Sequence, residues 1–162
     1  MRVGLGVDSH RFADGRKLIL GGVEIPHERG LDGHSDADVL AHAITDAILG
    51  AASMGDIGTH FPDTDERWRG ADSIELLREI VRRVAAEGWR VEHVDATVML
   101  ERPKLAPHRE AIMARLSEAV GASVHVKATT GERMGFVGRE EGVAAMAVAT
   151  LTSRLTSQDT PI

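Results

Sequence analysis

Asp8-Ser9-His10 sets a carboxylate and an imidazole two residues apart in an extended, alternating stretch. In a strand, residues i and i+2 project to the same side, so the two side chains are presented together. His42 is the candidate third ligand, on a helix that follows a second polar cluster. One Asp and two His with an open fourth position make a catalytic-type zinc set. The same three residue types serve non-haem Fe(II) oxygenases. Without an ion they make a hydrogen-bonded Asp/His pair at a strand end. The chain has eight His and no Cys. Thiolate zinc sites, iron–sulfur clusters, cysteine nucleophiles and disulfides are therefore excluded, and any metal must be held by His, Asp and Glu.

Five further groups can do chemistry. His34-Ser35 precedes a helix, whose free N–H groups and positive dipole end suit phosphate. Asp36 and Asp38 already place negative charge there, and a plain N-cap explains the same residues. Asp46, one turn after His42, is spaced to orient its ring or to face solvent. Asp56-Ile57-Gly58 and Phe61-Pro62-Asp63-Thr64-Asp65 form a loop that can wrap a polyol or simply turn at the surface. Lys127-Ala128-Thr129-Thr130-Gly131-Glu132, followed by Phe136 and Arg139, offers hydroxyls and backbone N–H groups to phosphate. Glu132 can hold Mg²⁺ against phosphate oxygens, although no P-loop pattern is present. Read blandly, this run is a polar hairpin loop. Pro103-Lys104-Leu105 is a rigid basic turn that can approach a charged ligand. A transition-metal set, a separate carboxylate for Mg²⁺ and anion-friendly loops together suit phosphoryl transfer, which is mostly positioning and charge neutralisation.

These groups need a scaffold. At 162 residues the chain predicts one domain, spanning 1–155 with a frayed tail at 156–162. The predicted order is a strand over Arg2–Asp8 with Val3, Leu5 and Val7 on one face, then short strands at 17–20 and 23–25 and a loop over 26–33. Ser35 reads as the N-cap of a helix over 36–52, and 55–70 as a long loop. Asp72 caps a second helix with Leu76, Leu77, Ile80, Val81 and Val84 as its buried stripe. A strand over 91–100, a helix from Pro107 to Val120, a strand over 123–128, a loop over 129–142 and a strand over 143–155 complete the chain. This is an α+β two-layer domain, a mixed sheet with helices on one face. Aromatic residues are only 3% of the chain, so aliphatic side chains must fill the core. The net charge of −6 lacks the footprint of a nucleic-acid or membrane-surface binder. No apolar run reaches the roughly 20 residues that span a bilayer, and no signal-peptide core opens the sequence. The expected location is cytoplasmic.

In order, GVDSHRF, GLDGHSDADVLAHAITDAILGAASMGDIGTHFPDTD, GADSIELL, VDATV, RPKLAPH and VKATTGERMGFVGREEG resemble the 2-C-methyl-D-erythritol 2,4-cyclodiphosphate synthase family of the non-mevalonate isoprenoid pathway. The likeness runs from residue 3 to about 150. It implies the stand-alone form, since the chain has no room for the fused cytidylyltransferase found in some members. It also implies a homotrimer with sites between subunits. The implied substrate is 4-diphosphocytidyl-2-C-methyl-D-erythritol 2-phosphate, whose 2-phosphate attacks its own β-phosphorus and releases CMP.

The resemblance further implies residue roles. Asp8, His10 and His42 would hold a transition metal: zinc, with manganese or cobalt accepting the same ligands. Glu132 would hold Mg²⁺ or Mn²⁺ on the diphosphate. His34 and Thr130 would stabilise the transition state, with Ser9 and Ser35 beside the phosphates. Asp56, Ile57, Gly58 and the run Phe61, Pro62, Asp63, Thr64, Asp65 would bind methylerythritol. Leu100, Glu101, Arg102, Pro103, Lys104, Leu105 and Ala106, with Ala128 and Thr129, would form the cytidine pocket. Phe136 and Arg139 match ligand-contacting positions. Arg139 and Glu141 would line a trimer channel in which members can hold an isoprenoid diphosphate. Gly131 stands where the family often has a third Thr, so one hydroxyl is lost. Other chemistries for the same residues are a zinc phosphohydrolase, an Fe(II) oxygenase, and a non-catalytic trimeric binder of isoprenoid diphosphates.

Overall fold

The alternation at the N-terminus does form a strand, but its apolar side does not face the core. In the computed structural model, which describes residues 1–153, β1 runs Arg2–Ala13. Val3, Leu5 and Val7 are 63%, 65% and 57% exposed. The core-facing residues are Gly4 and Gly6. A Cβ on Gly4 would lie 2.0 Å from the Ala47 carbonyl, and one on Gly6 would lie 1.9 Å from the Ala43 carbonyl. The helix over residues 39–52 therefore rests its backbone directly on the strand. The expected tail at 156–162 lies outside the described residues.

Strands β2 (Leu18–Leu20) and β3 (Val23–Ile25) form a hairpin. The expected loop at 26–33 contains a two-residue strand, β4 (Gly30–Leu31), paired to the end of β1. Helix α1 is Val39–Ala52, three residues shorter at its start than the sequence predicts. Its N-cap is Asp38, not Ser35. The Asp38 carboxylate is fully buried and accepts from the N–H groups of Ala41, Gly21 and Gly22 at 3.0, 2.9 and 2.7 Å. A carboxylate that satisfies the helix start and the β2–β3 turn together outcompetes a serine that offers one oxygen. Ser35 instead accepts from Ala37 N–H in a local turn.

The expected loop over 55–70 carries one helical turn, α2 (Ile57–His60), and a 3₁₀ turn at Glu66–Trp68, capped by Asp56 and Asp65. Helix α3 (Ser73–Ala86) has its predicted cap at Asp72, and Val81 is only partly buried. Strand β5 is Trp89–Met99, with a bulge between Val91 and His93. A 3₁₀ turn at Ala106–His108 leads into α4 (Arg109–Val120), closed by left-handed Gly121. Strand β6 is Ser123–Thr129, α5 is a single turn at Gly135–Gly138, and β7 is Gly142–Ser153.

The main sheet has the order β4-β1-β7-β5-β6, with only β5 and β6 parallel. It is thus the mixed sheet the sequence predicts. Helices α1, α3 and α4 cover one face, and the aliphatic core lies between them and the sheet. No helix among the described residues is long and apolar enough to cross a membrane.

Candidate metal centre and substrate cavity

The Asp8/His10 pair projects from the helix-facing side of β1, and α1 brings His42 over it. The bare glycine surface at Gly4 and Gly6 lets that helix sit close. The Asp8 Oδ2 to His10 Nε2 distance is 2.9 Å, Asp8 Oδ2 to His42 Nδ1 is 3.1 Å, and His10 Nε2 to His42 Nδ1 is 3.3 Å. Tetrahedral zinc with bonds of about 2.0–2.1 Å separates its ligand atoms by ~3.3 Å. The three donor atoms therefore already stand at the edge length of such a site. They are the metal-capable cluster found among the described residues. The donor set fits zinc, with one position left for a substrate oxygen.

Electrostatics support the same arrangement. Burial pushes the Asp8 carboxyl up, but hydrogen bonds and charge from His10 and His42 outweigh it and hold its pKa at about 2. Burial lowers His10, while Asp8 raises it further, so the net shift is upward. His10 Nδ1 lies 2.7 Å from the Asp32 carbonyl and donates to it, which leaves the Nε2 lone pair for the metal. His42 Nε2 lies 2.8 Å from Ser73 Oγ. Asp46 does not orient His42 as one sequence reading had it. Its carboxylate accepts from Ile57 N–H at 2.7 Å and pins the start of α2. Ser73 carried no sequence signal beyond its place beside a helix cap.

The triad opens into a cavity of about 480 Å³ that also takes in His34, Ser35, Ile57, Gly58, Phe61, Pro62 and Asp63. His34 Nε2 donates to the Asp65 carbonyl at 3.1 Å. Trp68 and Leu76 complete an apolar wall the sequence reading missed, with Trp68 edge-on to Phe61 at 4.9 Å. Asp56 and Asp65 are largely committed as caps: Asp56 accepts from Thr59 N–H and Oγ1, and Asp65 from Arg67. Thr64 is exposed on the same loop. Ser9 faces the other side of the sheet and borders a second cavity, of about 710 Å³, with Arg11, Phe136 and Glu141.

The other predicted residues assemble elsewhere. Leu100 N–H donates to the Thr129 carbonyl, and Glu101 accepts from Gly131 N–H, so the 100–106 segment packs against the 128–132 turn. Arg102 pairs with Glu140 rather than standing free, and Arg139 pairs with Glu141. Glu132 has φ +51° and accepts from Thr130 Oγ1. At Gly131 a Cβ would fall 2.5 Å from Gly138 N and 2.8 Å from the Met134 carbonyl, so here only glycine fits. This second cluster sits at the end of β6. It is separated from Ser9 on β1 by β7 and β5, in the row Ser9, Ala144, Met99, Thr129. Three strand spacings make that ~14 Å. Within one chain, β7 and β5 thus lie between the strand that carries Asp8 and His10 and the strand that leads into the 128–132 turn.

The YgbB family model matches residues 1–152. The 2-C-methyl-D-erythritol 2,4-cyclodiphosphate synthase of Salinibacter ruber is 58% identical over 156 residues, which cover 94% of this chain and 99% of its own. A bifunctional IspD/IspF enzyme of Anaeromyxobacter dehalogenans is 63% identical over 91% of this chain, which is 39% of its own length. A solved 2C-methyl-D-erythritol-2,4-cyclodiphosphate synthase in a CDP-bound form is similar at 42% identity. Its TM-score is 0.85, over 93% of this chain and 100% of its own.

Proposed function

The chain belongs to the YgbB family, and on that premise we propose how its cavity carries out the family's cyclisation. The enzyme converts 4-diphosphocytidyl-2-C-methyl-D-erythritol 2-phosphate to 2-C-methyl-D-erythritol 2,4-cyclodiphosphate and CMP, in isoprenoid precursor synthesis. The convergence of Asp8, His10 and His42 within 3.3 Å of one another in a cavity of about 480 Å³ carries this reading.

Both nucleophile and electrophile belong to one substrate, so the chain's main task is to hold it bent. The apolar wall of Ile57, Phe61, Trp68 and Leu76 takes the carbon skeleton, and Asp63 accepts from its hydroxyls. His34 and Ser35 meet the phosphates at the cavity edge, and Thr130 acts from the second cluster. Asp8, His10 and His42 would hold a zinc-type ion, which would supply Lewis-acid polarisation of a phosphoryl oxygen. Glu132 would hold Mg²⁺ or Mn²⁺ against the diphosphate. The 100–106 segment with Ala128 and Thr129 reads the cytosine through backbone groups.

Two observations favour a homotrimer. Within one chain Ser9 of β1 and Thr129 at the end of β6 stand three strand spacings apart, ~14 Å, so the strand that carries Asp8 and His10 and the strand that leads to Glu132 do not adjoin. The sheet face away from the helices exposes Val3, Leu5, Val7, Met146 and Val148, an apolar patch that a neighbouring copy would cover. In such an assembly the Glu132 cluster of one subunit completes the cavity of the next. The Arg139–Glu141 pair would then face the axis, where an isoprenoid diphosphate can be held.

The test is CMP release from the diphosphocytidyl substrate by metal-loaded protein, with and without chelator, and phosphorus NMR of the co-product. Chelator-sensitive CMP with a cyclic diphosphate is expected. A linear product would instead mark a phosphohydrolase, and no CMP from folded, loaded protein would leave a binding protein.

A further inference from the structure

We propose that Ser73 and Asp36 form a positioning dyad that fixes the tautomer and ring angle of His42, so setting the affinity of the metal site. The proposal rests on the reading that His42 is a metal ligand. A hydrogen-bond chain runs outward from the His42 ring. His42 Nε2 lies 2.8 Å from Ser73 Oγ, and Ser73 Oγ in turn bonds the Asp36 carboxylate. Asp36 also accepts from Ser73 N–H at 3.1 Å and from Asp38 N–H at 3.2 Å, which locks the carboxylate in place.

The direction of the chain follows from the proton inventory. An ionised carboxylate only accepts, so the single Ser73 hydroxyl proton goes to Asp36. Ser73 Oγ then has only lone pairs to offer His42, and Nε2 must be the protonated nitrogen. That leaves the Nδ1 lone pair free, and Nδ1 is the atom that faces Asp8 and His10 at 3.1 and 3.3 Å. Ser73 is 1% exposed, so its hydroxyl is shielded from water. Ser35 Oγ is the alternative partner, but it lies farther off, at 3.2 Å from Nε2 and 3.4 Å from Ser73 Oγ, against 2.8 Å between Nε2 and Ser73 Oγ. Both members of the dyad lie outside the cavity-lining set that meets the substrate, so their effect passes through His42.

Outer hydrogen-bond partners of metal ligands typically change metal affinity by about 10- to 100-fold. The experiment measures Zn²⁺ affinity by competition with a chromophoric chelator, together with the visible bands of the Co²⁺-loaded protein. The proteins are wild type, Ser73→Ala, Asp36→Asn, the double variant and His42→Ala, each checked for fold by circular dichroism. Ser73→Ala is expected to weaken Zn²⁺ about 10- to 100-fold at one-to-one stoichiometry and to shift the Co²⁺ bands. Asp36→Asn should shift both in the same direction, and the double variant should be no weaker than Ser73→Ala, as for a single chain. Affinity within twofold of wild type with unchanged Co²⁺ bands in Ser73→Ala would overturn the proposal, as would losses that add. If Ser73→Ala does not fold, Asp36→Asn decides on the same criteria. If His42→Ala binds Zn²⁺ as tightly as wild type, the metal-site reading itself fails, which is a different result from a silent Ser73→Ala.

Discussion

Asp8 is a carboxylate held ionised by two imidazoles and half shielded from water, a pairing that a bound cation would replace. Replacing it with Asn keeps the shape but removes the negative ligand. Lewis-acid stabilisation is worth several kcal/mol, and 1.36 kcal/mol is one decade in rate. Asp8→Asn is therefore expected to lose on the order of 10³-fold in CMP release while its circular dichroism stays unchanged. Metal content by mass spectrometry, read beside turnover, checks it. Glu132 separates from this behaviour because it lies in the other cluster. Glu132→Gln is expected to keep the zinc-type ion and raise the Mg²⁺ concentration needed for half-maximal rate. Loss of zinc in Glu132→Gln would contradict the two-cluster reading.

At the scale of elements, two contacts decide whether the ligands meet. The first is β1 against α1. Gly6→Ala would set a methyl 1.9 Å from the Ala43 carbonyl, in the helix that carries His42. It is expected to cost about 3 kcal/mol or more and to lower metal affinity together with stability, which urea unfolding and metal titration would detect. The second is the Asp38 cap. Burial pushes its carboxyl up to about 6, with Asp36 adding to the rise, while the N–H groups of Ala41, Gly21 and Gly22 pull it down. A carboxyl whose folded pKa exceeds its unfolded value binds a proton that the unfolded chain has released. Its contribution to stability is then fullest below the unfolded pKa of about 4 and is lost as pH rises through about 6. Asp38→Asn cannot ionise and is expected to be less stable at every pH but to lack this decline between pH 4 and 6. Urea midpoints across that range check the slope.

For the whole molecule, the outer sheet face carries the prediction. Leu5 lies opposite Val148 on neighbouring strands, and both are exposed. Leu5→Glu with Val148→Glu places two like charges in the middle of that patch, where burial against another copy would be costly. The double variant is expected to run as a monomer by light scattering, to bind one zinc-type ion and to release no CMP. A monomer with near-normal turnover would show that one chain's cavity suffices.

The sequence by itself determined the ligand types, their i, i+2 spacing on a strand and the helical stripe of α3. Each follows from chain geometry within a few residues. Phosphoryl transfer was legible for the same reason, as a sum of residue types in the matching segments. The tertiary structure alone decided which face of β1 is inside. Val3, Leu5 and Val7 alternate like core residues, yet Gly4 and Gly6 take the helix because backbone contact needs the absence of side chains. It decided that Asp38 rather than Ser35 caps α1, since the β2–β3 turn adds two donors that only folding brings near. It replaced Asp46 by Ser73 beside His42, a contact across 31 residues. It also set β1, which carries Asp8 and His10, three strand spacings from β6, which leads to Glu132. Strand order in a sheet is fixed by long-range pairing, and local residue patterns carry no record of it.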